Sequence, residues 1–328
     1  MAPIPPRLDI DAADERRPML ADLVEQEVLR GGKMSRARLA TWVRKAGMLR
    51  QLYETYETVR AGGSAAEAEA TDSIDDDRKD GAEPGPYDAA NQAADRVFAQ
   101  LEERARCLGD RYPFRLTESE LLRAEGTSSE GYELLLMLSI AHRYAVKVEG
   151  VQLDRLFERL VAQCLPALGF RVKHFGTAAT RSGSFKERVD TAAKDLGLCA
   201  RWRSDRAQAR RRANDAGVDV LGRLGAGDGR GGDWVLFAQT TVARSEDWDK
   251  KASEALHSSL RGVFEDHPRI AALAVPYHVA TDRLLDLARN FEIVVFDRIR
   301  LALLLCVPLP TEHVALRAAL TSVEFEWS

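Results

Sequence analysis

The stretch IAALAV, residues 270–275, carries six apolar side chains in a row. A strand written that way has no polar face, so both of its faces must be covered by other elements. Around it, helical and strand-like patterns alternate. LDRLFERLVAQCLPALG has the stripe of an amphipathic helix, FRVKHFG reads as a short strand, and a basic segment with a helix follows. VDVLGRL and DWVLFAQTTV read as two strands joined by the glycine-rich turn GAGDGRGG. EDWDKKASEALHSSLRGVF is a helix, TDRLLDLARN another, and EIVVF a final strand. The expected fold over residues 151–328 is therefore α/β, a mixed central sheet flanked by helices.

The chain before Gly150 has a different character. In MLADLVEQEVLRGG, Leu20, Leu23, Val24 and Val28 recur at helical spacing, and Gly31-Gly32 suits a helix end. SRARLATWVRKAGMLRQLYETYETV continues the helical pattern, giving a helical segment over residues 1–60. Residues 61–87 are acidic, broken by Gly and Pro, and poor in large apolar side chains. Such a stretch buries too little surface to offset its ordering entropy and reads as a flexible linker or loop. Helical pattern resumes over 88–150 in NQAADRVFAQLEERARCL, and EGYELLLMLSIAHRYAV reads as a buried helix. TESELLRAEG offers a capping-box start, Thr117 with Glu120 three residues on. The expectation is an all-helical N-terminal region, fit for packing, homodimer formation or recognition of a protein partner.

Composition narrows the function classes. Of 328 residues 45% are apolar, and the net charge is −4, so any polyanion site must come from local clustering. Cys107, Cys164, Cys199 and Cys306 are scattered without a CxxC pair and read as reduced core thiols of a cytoplasmic protein. No apolar run reaches the length of a membrane span, and MAPIPPRLDIDAADERRP has no signal-peptide core.

Three features carry chemistry. NDAGVDVLGRL sets Asp219 at a strand start behind the permissive Gly217, where a carboxylate can ligate Mg²⁺; the plainer reading makes Asp215 and Asp219 turn and strand-edge residues. In LFAQTT, strand alternation puts Gln239 and Thr241 on one face, and a Gln ending an apolar strand needs a partner, a water or a metal. In EDWDKKASEAL, Trp248 can anchor the helix while Lys250 or Lys251 reaches a cleft, Lys251 lying beside the stripe Ala252, Ala255, Leu256. Surface lysines are usually solvated, which is the alternative there.

Taken together, an FE pair on a helix, GVD on a strand and a Q-x-K-like strand end resemble the PD-(D/E)XK nuclease superfamily, with Mrr-type restriction endonucleases the nearest branch. FDRIRLALLL resembles that family's closing strand and helix. The resemblance implies a restriction-endonuclease-like fold and a metal-dependent DNase of restriction or anti-phage defence type. It implies Glu158, Asp219 and Gln239 as ligands of Mg²⁺ or Mn²⁺. The family's lysine belongs two residues after Gln239, where this chain has Thr241. Either Lys251 supplies the amine from the following helix, or catalysis is lost and Thr241 marks a silent fold.

CARWRSDRAQARRRANDAGVD places Arg201, Arg203, Arg206, Arg210, Arg211 and Arg212 around Trp202. Arginines so arranged track phosphates and an indole can stack on a base, so nucleic acid, DNA first, is the expected partner. A solvated basic loop is the alternative. His174 reads as structural. Three functions stand open: a metal-dependent nuclease, a silent nuclease fold that binds nucleic acid or protein, and an adaptor whose working part is the helical half.

Overall fold

The computed structural model describes residues 17–45, 86–125, 130–176, 183–202, 217–226, 228, 232–305 and 308–322. The chain divides into two compact units, one of residues 1–105, 114–123 and 323–328, the other of 106–113 and 124–322. The expected linker, 61–87, falls almost wholly outside the described residues. Among the described residues no helix is long and apolar enough to cross a membrane.

In the first unit, α1 (Arg17–Leu29) buries Leu23, Val24 and Val28. Helix α2 runs through 36–45, and the Ser35 hydroxyl caps its start by accepting from the Arg38 N–H at 3.1 Å. Most of α3 (Pro86–Leu108) belongs here and buries Val97, Phe98 and Leu101. Arg104, fully buried, donates to Asp22 at 2.8 Å and to Glu25 at 2.7 Å.

The expectation of an all-helical N-terminal region needs one correction. β1 (Met34–Ser35), β2 (Phe114–Leu116) and β3 (Glu120–Arg123) form an antiparallel sheet in the order β1-β3-β2. The capping-box pattern is what misleads. Thr117 Oγ1 does accept from the Glu120 N–H, at 3.0 Å, but the Thr117 N–H donates to the Glu120 carbonyl at 2.9 Å, which closes a hairpin turn. A Ser/Thr hydroxyl bonded three residues ahead serves a turn as well as a helix start.

The second unit holds the five-stranded sheet β4-β5-β6-β7-β8, built from Arg171–His174, Val220–Leu224, Trp234–Thr240, Arg269–Ala274 and Ile293–Phe296. β4, β5 and β6 are antiparallel neighbours, while β6, β7 and β8 run parallel. Its helices are α4 (Glu130–Arg143), α5 (Leu153–Cys164), α6 (Phe185–Leu196), α7 (Trp248–Leu256), α8 (Thr281–Phe291), α9 (Arg298–Leu304) and α10 (Glu312–Thr321). The apolar strand of the sequence is β7, central between β6 and β8, as its two apolar faces require. α4 belongs with this unit, packed against α9 and α10, rather than with a separate 88–150 region.

Alternation along β6 sorts the sheet's faces. Val235 and Phe237 pack with Val189, Ala193 and Leu196 of α6. Leu273 of β7, the register partner of Gln239, packs with Trp248, Ala252 and Ala255 of α7. Helix α5 lies against β4, β5 and β6 on the other face, where Ala238 and Thr240 point. Capping fixes α6: the Ser184 hydroxyl accepts from the Glu187 N–H at 3.3 Å, and the Glu187 carboxylate accepts from the Ser184 N–H at 2.7 Å.

The cysteines are not all core thiols. Cys164 is buried, but Cys107 and Cys199 are exposed, and Cys306 lies outside the described residues.

Candidate functional site

β5 begins with an irregularity that decides where its acid goes. Val218 and Leu221 both pack in the α6-side cluster although they are three residues apart. Asp219 and Val220 therefore both turn toward the α5 side, and the Asp219 N–H donates to the carbonyl of Ala238, which is already the register partner of Val220. Two residues oppose one, a bulge. Gly217 makes the entry possible: its φ is +72°, and a Cβ there would sit 3.1 Å from the Glu254 carbonyl.

The buried Asp219 carboxylate accepts from the Thr240 N–H at 2.7 Å and the Thr240 hydroxyl at 3.1 Å. Its carbonyl accepts from the Phe175 and Gly176 N–H groups at 2.7 and 2.8 Å. Gly176 packs so closely that a Cβ on it would lie 2.5 Å from Asp219 Oδ1. Asp219 thus stitches β5 to β6 through its side chain and to the end of β4 through its backbone.

Glu158 is buried on α5, and its Oε2 lies 3.4 Å from His174 Nε2. His174 is the register partner of Val220, so Glu158, His174, Asp219 and Thr240 gather on one side of the sheet at one end. Gln239 does not join them. Thr240 and Gln239 are adjacent in a regular strand, so the Gln239 amide points to the opposite face, with Phe237 and Leu273. Its Oε1 is buried with no hydrogen-bond partner among the described residues.

This corrects the expected metal centre. The residues present do not fit Mg²⁺ held between Asp219 and Gln239, because the sheet separates their side chains. Among the described residues no group of three or more His, Cys, Asp or Glu side chains converges as a metal site. The Thr241 hydroxyl accepts from the Ala243 N–H at 3.0 Å, in the turn that follows β6.

The lysines follow the same division. α7 covers the Gln239 face, anchored by Trp248, which is buried and donates to the Ala243 carbonyl at 3.0 Å. Lys251 is partly buried and pairs with Glu254 at 2.8 Å, whereas Lys250 is exposed. Lys251 thus sits on the helix over Gln239, across the sheet from Asp219 and Glu158.

Of the basic run, Arg203, Arg206, Arg210, Arg211, Arg212 and the acid Asp215 lie outside the described residues. Arg201 is exposed and pairs with Asp266 at 2.6 Å. Trp202 is occupied by its own unit. The indole N–H donates to Asp190 at 2.7 Å, and the ring meets Phe185 edge-on with 6.3 Å between centroids. Both contacts pack the indole within its own unit.

Sequence reasoning passed over one group at this end of the sheet. The Tyr277 hydroxyl donates its single proton to the Val242 carbonyl at 2.7 Å, and His142 Nδ1 lies 3.2 Å from the same oxygen. The phenol's proton is spent, so Nδ1 must carry the imidazole hydrogen and Nε2 the lone pair. Residues 142, 242 and 277 are too far apart in the chain for any motif to announce them. Comparison with protein-family models, curated proteins and solved structures finds no match.

Proposed function

We propose that this chain is a nucleic-acid-binding protein on a nuclease-type α/β scaffold that does not cut by the metal-ion route. The observation that carries the reading is the commitment of the Asp219 carboxylate to Thr240, on the face opposite Gln239. Thr241 in place of the family's lysine agrees with it. The order of helix, antiparallel strands, helix and parallel strands supports a restriction-endonuclease-like scaffold. The arginine run supports nucleic acid as the ligand, since a chain of net charge −4 holds a polyanion only through local clustering.

The competing reading, a metal-dependent DNase, has one observation in its favour: Glu158 and Asp219 are both buried on one side of the sheet. A single set of assays separates the two. Full-length protein is incubated with plasmid, linear DNA and RNA in Mg²⁺, Mn²⁺ or EDTA, and binding is measured across a salt series. Binding without cleavage is expected. Its log-log salt slope should flatten when Arg210, Arg211 and Arg212 are replaced together, by about 0.7–0.9 for each phosphate no longer neutralised. Cleavage that needs metal and disappears in Asp219→Ala would restore the enzyme reading.

A further inference from the structure

We propose that His142 and Arg244 form a binding site for a phosphate oxyanion at the carboxyl end of β6, occupied with uptake of one proton at His142 Nε2. Val242, Ala243 and Arg244 leave the strand directly after Thr240 and Thr241, and Tyr277 ties the His142 imidazole to this turn. The tie fixes both the ring's position and its tautomer. Nε2 is left as the interacting atom of a half-buried side chain, and no described residue hydrogen-bonds to it.

Arg244 supplies the charge. It is exposed, its guanidinium donates to the Arg143 carbonyl at 3.4 Å, and among the described residues no carboxylate pairs with it. A guanidinium anchored by a backbone carbonyl keeps its remaining donors for an oxyanion.

The charged groups around the imidazole set the proton linkage. Burial is the largest influence and holds the His142 pKa below its ordinary value; Asp154, at the start of α5, opposes this, and Arg244 adds to it. Tyr277 faces the ring as a neutral phenol, and Arg143 follows it on α4. With Arg244 alone the second positive charge is disfavoured. An oxyanion between the two groups reverses that balance, so Nε2 takes a proton from solvent and donates it to the ligand. No bond to phosphorus forms or breaks.

The inference rests on the nucleic-acid reading only for the source of the phosphate, a phosphodiester backbone rather than free phosphate. The test is imidazole NMR on the full-length protein, assigned with His142→Gln. The His142 titration is followed in chloride, in inorganic phosphate and with a single-stranded oligonucleotide, all at matched ionic strength. The Nδ1–H tautomer is expected in the neutral ring, with a rise of the titration midpoint in a phosphate arm and none in chloride. Arg244→Gln should raise the midpoint of the free protein, because a repelling charge has gone. It should also abolish the ligand-linked rise and weaken phosphate binding by about tenfold or more. A rise with the oligonucleotide identifies the backbone as the source, and one with inorganic phosphate alone identifies the free anion. An identical midpoint in all three arms, or a ligand-linked rise that survives Arg244→Gln, overturns the site. Oligonucleotide binding that persists with no response from His142 overturns this site while leaving the arginine run as the binding surface.

Discussion

Asp219 shows how one side chain can look like a ligand in the sequence and act as a bracket in the fold. Its carboxylate satisfies the buried Thr240 N–H and hydroxyl, so Asp219→Ala leaves both without that acceptor. The expected loss is about 1–3 kcal/mol in urea unfolding. A variant as stable as the parent would return Asp219 to the status of a ligand held for a metal. Asp297 makes a second case at this scale. It caps α9, accepting from the Arg300 N–H at 3.0 Å and the Val279 N–H at 3.3 Å. Burial nevertheless holds its carboxyl above the usual carboxylate range, against those bonds and the charges of Arg300 and Arg298. The folded state therefore binds this proton more tightly than the unfolded chain does. The associated stability is fully present below the unfolded pKa and is lost as pH rises through the folded one. Asp297→Asn should accordingly cost most in acid and less toward neutral pH, checked by unfolding both proteins over a pH series. A cost that grows with pH would show the ionised form to be the favoured one.

Among the elements, α6 and β6 show two ways in which a local pattern falls short. The pattern of α6 announces a helix only in general terms, and it is the structure that shows SFKE closing both bonds of a capping box at its start. Ser184→Ala should cost about 1 kcal/mol and raise amide exchange first at the N-terminal turn of α6, while Ser184→Gly should cost only a few tenths. Equal losses for the two would mean that the hydroxyl contributes little. For β6, the pattern LFAQTT establishes a strand, and the structure runs it from Trp234 to Thr240, ending before Thr241. The pattern does not say which face meets α5. A period of two leaves two phases, and one residue of shift moves every side chain to the other side. The bulge at Asp219 and Val220 then breaks the alternation in β5 as well, which a sequence pattern cannot register.

At the scale of the whole molecule, each unit buries a charged side chain beside its apolar core, Arg104 in the first and Arg298 in the second. The second buries an extended apolar sheet, and the first encloses Arg104 between Asp22 and Glu25. Arg104→Ala would take the counter-charge from two buried carboxylates, at a cost of about 3–5 kcal/mol. Amide exchange should then speed up throughout the first unit while the sheet of the second keeps its protection. Uniform loss of protection across both units would show that they unfold as one. Replacing all three charged residues by apolar ones of similar volume should recover much of the stability.

What the sequence determined alone was everything that depends on neighbours along the chain. The doubly apolar strand demanded a covered position in a sheet, and alternating helices and strands demanded an α/β unit. What tertiary structure decided was everything that depends on which surfaces meet. TESELLRAEG became a strand because Glu120–Arg123 found two partner strands, and antiparallel pairing outweighed the local helical pattern. Asp219 and Gln239, close candidates on paper, were parted by the thickness of a sheet. His142 and Tyr277, 135 residues apart, were brought to one hydrogen bond. Local pattern fixes the conformation of a segment, but the face it presents is set by packing against segments whose distance along the chain carries no signal.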